Sequence, residues 1–240
     1  MPRASREYLY GINPAFEVIR AGKRKVYEAC FSESARRNPR IRKLETRCKE
    51  AGIPYEWVEK GRILQLSKSK DNQGVVLRAA AYPYQPSNTL WEKDRLLLLD
   101  NVEDPHNVGA LLRCAEVFGF RDVLLTSRGT PDIYPSVVKV SAGASEFLNI
   151  ARDGTANRYM KTALDQDFTV VALDAKGTDD LRSVRNQQIE KLLLVVGGED
   201  KSVGQFILNK AHHVTSIPQR GRVNSLNASV AAGIAMYELA

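Results

Sequence analysis

Histidine and cysteine are scarce in this chain of 240 residues, three of each, and each shortage excludes a chemistry. Cys30, Cys48 and Cys114 are odd in number and have no CxxC spacing. Neither a disulfide framework nor a zinc site is signalled, and reduced thiols are expected. His106, His212 and His213 come without a GxSxG segment, which argues against a Ser-His hydrolase. A GxGxxG fingerprint after the first strand and a GxxxxGK(S/T) loop are also missing, so neither a standard dinucleotide fold nor a P-loop is indicated. His, Cys and carboxylates do not cluster along the chain, and no metal is expected. The longest apolar runs, "RLLLLD" and "KLLLVVGG", fall far short of the ~20 residues a membrane span needs and read as buried strands. "MPRASREYLYG" carries no apolar core behind its basic residues, so a secretory signal is not expected and a cytoplasmic location is.

What is present is the balance of an ordinary globular protein, 43% hydrophobic and 26% charged, with a net charge of +7. The positive excess gathers early: Arg20 to Lys49 holds eleven Lys and Arg. A polyanion such as RNA is the natural partner, because cations that neutralise phosphates release counterions. The competing reading is a basic, solvated surface with no partner.

Proline and polar residues in "AYPYQPSNTLWEKD", Ala81 to Asp94, mark a linker between two apolar strand-like runs. The expected organisation is a small α/β domain at 1–82, a linker at 83–94 and a larger domain at 95–240. In the first part, "NPAFEVIRAG" and "NPRIRKLETRCKEAG" read as helices ended by Gly22 and Gly52, and "KVYEACFS", "PYEWVEK" and "GVVLRAAA" as strands. After the linker, apolar strands alternate with helices, which indicates a mostly parallel sheet covered on both faces. Ligands of such sheets sit at the carboxyl ends of the strands. Polar or glycine-rich stretches follow strand ends at Asp100, Gly197 and Ile217, and chemistry is sought there.

In "DNVEDPHNVGALLRCAEVFG", Asn107 is expected to cap a helix whose small residues Gly109 and Ala110 let Arg113 lean back toward the strand end. The alternative is an exposed arginine on an ordinary amphipathic helix. In "LLLVVGGEDKSVG", Gly197 and Gly198 would let a ligand approach the backbone, and Glu199 could accept from ribose hydroxyls or orient an arginine. The alternative is a strand-ending turn with a surface Glu. In "SIPQRGRVNSLNASVAAGIAMYELA", Ser225 or Asn227 starts a thin, alanine-rich last helix that either approaches another backbone or packs in its own core.

In this order and spacing, "NVGALLRCAEVFG", "VVGGED" and "IPQRGRVNSLNASVAAGIAMYE" resemble the three signature motifs of the SpoU (TrmH-like) branch of the SPOUT RNA methyltransferases. "YGINPAFEVIRAGKRKV" and "DNQGVVLRA" are similar to the substrate-binding domain ahead of that catalytic domain in 23S rRNA guanosine-2'-O-methyltransferases. The resemblance implies a small N-terminal α/β RNA-binding domain and a C-terminal, mostly parallel α/β/α SPOUT domain with a deep trefoil knot. It also implies S-adenosylmethionine as methyl donor, a ribose of ribosomal RNA as acceptor, and a homodimer whose site draws on both subunits. Asn107, Arg113, Glu199, Ser225 and Asn227 match the family's catalytic residues. Thr126, Ser127, Gly198, Ile217 and Leu226 match positions that hold the cofactor, mostly through backbone. For Arg113 the resemblance suggests a base, whereas a guanidinium stays protonated and a fork on the target phosphate is equally compatible. The alternatives are a tRNA or resistance-type rRNA target, or an RNA-binding assembly factor without catalysis.

Overall fold

The computed structural model describes residues 6–199, 202–222 and 226–240. The first elements are β1 (Arg6–Tyr10), α1 (Ile12–Ala21), β2 (Val26–Ser32), α2 (Pro39–Glu50), β3 (Tyr55–Val58), α3 (Lys60–Ser67) and β4 (Val75–Ala80). They are followed by β5 (Arg95–Asp100), α4 (Pro105–Val117), β6 (Asp122–Thr126), α5 (Pro135–Val140), β7 (Asn149–Gly154) and α6 (Ala156–Asp165). The chain ends with β8 (Thr169–Leu173), α7 (Leu181–Arg185), β9 (Leu192–Gly197), α8 (Gln205–Leu208), β10 (His213–Thr215) and α9 (Ala228–Leu239).

The chain divides into two compact units, one of 1–83 with 133–147 and the other of 84–132 with 148–240. The first is built on a four-stranded sheet in the order β1-β4-β2-β3, in which only β2 and β3 run parallel. The sequence signals for its helices are the ones that operate. Asn38 accepts from the Arg40 amide with Pro39 in the first turn, and α1 stops where Gly22 turns left-handed at φ 59°. The segment 133–147, which the sequence reading assigns to the second domain, packs here. The cause is a buried charge. Arg24 grips Glu146 with two hydrogen bonds of 2.8 and 3.0 Å and reaches Glu7 at 2.7 Å, and neither the Arg24 nor the Glu146 side chain has any exposure. Val137 and Val138 are wholly buried beside this contact's chain segment.

The second unit carries a six-stranded sheet, β10-β8-β9-β5-β6-β7, parallel throughout. β5 and β9 read as unbroken apolar runs because both faces are covered. Part of the expected linker belongs to this core: Leu90 and Trp91 are buried, and Trp91 meets Phe168 edge-on at 5.8 Å. An indole is too large an apolar surface to leave in a tether. β1, α3, β7, α6 and α7 escaped the sequence reading. Several are short, and α6 is signalled mainly by Thr155, which accepts from the Arg158 amide. Among the described residues, no helix is long and apolar enough to cross a membrane.

Candidate active site

β5 and β9 lie side by side at the middle of the larger sheet, and their pairing ends with Asp100 opposite Gly197. Strand order reverses here, since the chain runs outward through β6 and β7 and then returns to build β8, β9 and β10 on the other side. A crevice at the carboxyl ends is the geometric result.

Asp100 organises the floor of that crevice. Its carboxylate accepts from the Gly204 amide and from Asn101 Nδ2, each at 3.0 Å, and its carbonyl accepts from the Gly198 amide at 3.1 Å. Burial pushes the Asp100 carboxyl up from its ordinary range, opposed by the Gly204 amide. Both glycines are required by the packing of the chain itself. A Cβ on Gly197 would overlap the Val203 nitrogen, and one on Gly198 would overlap the Asn101 carbonyl oxygen.

Three of the expected catalytic residues come together. Asn227 Nδ2 donates to Asn107 Oδ1 at 2.9 Å and to Glu199 Oε1 at 2.5 Å. Its Oδ1 faces the other way and caps α9, accepting from the Ser229 amide at 2.9 Å and the Val230 amide at 3.4 Å. One amide side chain therefore ties together segments separated by 120 and 28 residues. Glu199 is exposed, Asn107 is buried, and Ser225 lies outside the described residues.

Two expectations about α4 are corrected. Asn107 does not cap the helix; Asp104 does, accepting from the His106 amide at 2.9 Å, with Pro105 as the first helical residue. Asn107 stands inside the first turn, which frees its side chain for Asn227. Arg113 does not join that cluster. Six positions on, it lies about 120° round the helix from Asn107. Arg113 is exposed and makes no hydrogen bond or ion pair among the described residues.

A cleft opens beside the Asn107–Glu199–Asn227 cluster. The end of β8 with Asp174 and Ala175, Gly197 to Glu199, Ile217, and the start of α9 from Leu226 line it. Gly198, Ile217 and Leu226 thus sit together as expected. Thr126 and Ser127 do not line it. The Thr126 hydroxyl is buried against Thr130 Oγ1 at 2.8 Å, and the Ser127 amide is held by the Gly154 carbonyl at 2.9 Å. Asp100 stands at one of the strand ends where chemistry is expected, whereas Asp174 and Ala175 carry no sequence signal that marks them.

His, Cys and carboxylates do not cluster along the sequence, but the fold brings three such groups together. Strand pairing sets Cys30 against Glu56, and Glu28 joins them. Glu28 is already paired with Arg78 at 3.0 Å, and burial, then Glu56 and Glu28, push the Cys30 thiol up to about 12.

The outer face shared by α4 and α9 is apolar and open. Val117, Val230, Ile234 and Tyr237 are exposed there, and Phe118 meets Tyr237 at 5.8 Å.

The chain matches known proteins over nearly its whole length. The model of the SpoU rRNA Methylase family matches residues 94–237, and that of RNA 2'-O ribose methyltransferase substrate binding matches residues 8–85. The Bacillus subtilis protein YacO, assigned to the TrmH family of tRNA/rRNA methyltransferases, is 31% identical over 240 residues, covering 97% of this chain and 94% of YacO. A crystal structure of an RNA 2'-O ribose methyltransferase superposes with a TM-score of 0.81 at 22% identity, covering 98% of this chain and 88% of that one. The SpoU methyltransferase AviRb from Streptomyces viridochromogenes, solved in complex with AdoMet, gives 0.80 at 20% identity, covering 99% and 90%.

Proposed function

The chain belongs to the SpoU rRNA methylase family, and from that premise we propose that it methylates the 2'-hydroxyl of a guanosine ribose in large-subunit, 23S-type ribosomal RNA, with S-adenosylmethionine as donor. Membership makes it an RNA 2'-O-ribose methyltransferase; the target RNA and nucleotide are the proposed part. The observation that carries the reading is Asn227 bridging Asn107 and Glu199 at the rim of the β5/β9 cleft.

The cleft suits the cofactor. Apolar side chains of Ile217, Leu226, Ala228 and Ala231 alternate with backbone groups of Gly197 and Gly198, the mixture that an adenine ring and a thioether chain require. Gly198, Ile217 and Leu226 are proposed to hold it. When bound, it supplies an electrophilic methyl group on a sulfonium; the methyl goes to the ribose oxygen and the hydroxyl proton leaves.

A ribose hydroxyl is a weak nucleophile, so alignment supplies much of the rate. Asn227 fixes one oxygen of Glu199 and leaves the other without a partner among the described residues, free to accept from the 2'-hydroxyl. Ser225 belongs to the same proposed centre. Arg113 is proposed as a fork for the target phosphate that lowers the cost of an alkoxide.

Arg113 stands on α4, whose neighbouring residues form the open apolar face, and that face is proposed to seat a second copy. A homodimer would cover Val230 and Ile234 and let each Arg113 serve the other copy's cluster, which accounts for its separation from Asn107 here. The same reading includes a knotted C-terminal segment and a cytoplasmic location.

The test is incubation of the purified protein with labelled S-adenosylmethionine and total ribosomal RNA, followed by primer extension. A single 2'-O-methylated guanosine in the large-subunit RNA is expected. Product on transfer RNA alone would replace the target, and bound RNA without product would leave an assembly factor.

A further inference from the structure

A groove of about 690 Å³ runs between α1 and α2 on the first unit. Its walls have a regular origin. On α1, Asn13, Phe16 and Arg20 recur three and four residues apart, and on α2, Arg40, Lys43 and Arg47 do the same. Each set is one stripe of a helix, and the two stripes face one another across the groove. The inward stripes, with Val18 on α1 and Ile41, Leu44 and Cys48 on α2, are buried and form the packing surface, which leaves the four cations on the outward side with Phe16 half-buried between them.

Local pairing offsets two of the four cations and leaves Arg40 and Lys43 without a carboxylate among the described residues. Glu17 takes Arg20 at 2.8 Å and Glu50 takes Arg47 at 3.3 Å, both on the groove's own helices and exposed to solvent on the arginine side. Arg40 is held differently, bonded to Asn13 Oδ1 at 2.5 Å and lying 5.8 Å over the Phe16 ring. Lys43, exposed at the centre of its stripe, makes no hydrogen bond or ion pair among the described residues. Cations on two facing walls with a half-buried aromatic between them match a sugar-phosphate backbone whose base is turned inward.

We infer that the α1/α2 groove is where a single-stranded loop of the substrate RNA docks, with Lys43, Arg40 and Arg47 on phosphates and Phe16 beneath a base. The inference rests on the RNA methyltransferase reading and deepens it by naming the surface and the form of RNA. A loop is preferred over a duplex because stacking on Phe16 needs an unstacked base.

The experiment reads binding and not methylation, so the two readings fail separately. Full-length protein is titrated against a fluorescent single-stranded RNA of about 16 nucleotides, the upper end of common site sizes, at several salt concentrations. Lys43→Glu with Arg47→Glu is expected to weaken binding at least about tenfold and to lower the salt slope by about 1.4, two single-strand phosphate contacts. Phe16→Leu should cost about fivefold with little change in slope. Lys43→Gln with Arg47→Gln gives the same direction should the charge reversals disturb folding. Lys60→Glu with Arg62→Glu on α3 makes the same charge change outside the groove and is expected to leave affinity within about twofold. Equal losses for both pairs, or unchanged affinity in the groove variants, would overturn the inference. Groove-dependent binding without methyl product would sink the catalytic reading and leave this one standing.

Discussion

Replacing Asn227 should separate two jobs that its side chain performs at once. The oxygen caps α9 through the Ser229 and Val230 amides, and the nitrogen holds Asn107 and Glu199. Asn227→Asp keeps a capping oxygen, for which Asp and Asn are equivalent, but removes the donor and sets a carboxylate against Glu199. Asn227→Ala removes both functions. Loss of the cap costs about 1 kcal/mol, which in a domain of roughly 150 residues moves the melting point by about 2–4 °C. Loss of the donor leaves Glu199 free to swing, and a misplacement of about 1 Å at a reacting centre can cost roughly 100-fold in rate. Asn227→Asp is therefore expected to melt within about a degree of the parent yet lose about two orders of magnitude in methyl transfer, whereas Asn227→Ala loses both. Scanning calorimetry and single-turnover transfer to total ribosomal RNA measure the two effects. A fully active Asn227→Asp protein would refute the bridging role, and an unchanged melting point for Asn227→Ala would refute the cap.

Arg113→Ala should abolish methyl transfer while leaving stability within about 0.5 kcal/mol, since the side chain is exposed and bonds to nothing described; activity near that of the parent would remove Arg113 from the site. Arg24→Ala leaves Glu146 buried without its partner, a loss of about 3–5 kcal/mol seen in urea unfolding. Burial already raises the Glu146 carboxyl pKa, against the pull of Arg24, so the folded state holds its proton at pH values where the unfolded chain has lost it. Stability from this group falls as pH rises above the unfolded value, and the Arg24→Ala deficit should therefore shrink on acidification toward that value; a deficit independent of pH would contradict this. Alkylation at pH 8 should spare Cys30 and Cys48, whose thiols burial pushes up to about 12 and about 11, and rapid labelling of either in the folded protein would show the burial to be wrong.

Most of the fold was legible where a segment stated its own period or its own stop. Gly22 ends α1 and the apolar runs became β5, β6, β8 and β9 as read. Short or mixed segments such as β1, β7 and α7 carry too little pattern to be told from loops. The motifs name Asn107, Glu199 and Asn227, which meet in the folded chain, but their arrangement was not legible. Asn107 was read as a cap because Asn caps well, while Asp104, three residues earlier, holds that place and frees Asn107 for Asn227. Arg113 is expected to lean back over Gly109 and Ala110 toward the strand end, and in the folded chain it is exposed and outside the Asn107–Glu199–Asn227 cluster.

The sequence by itself determined the motifs, the basic excess between Arg20 and Lys49, and the alternation of apolar strands with helices, because each is a property of consecutive residues. Tertiary structure alone decided which distant residues meet. Burial of Glu146 against Arg24 claims 133–147 for the first unit across 122 positions, and the pairing of β5 with β9 sets Asp100 opposite Gly197. Bringing Asn227 to Glu199 and Asn107 is of the same kind, since a contact across 120 residues leaves no local periodicity and exists only once the sheet has assembled.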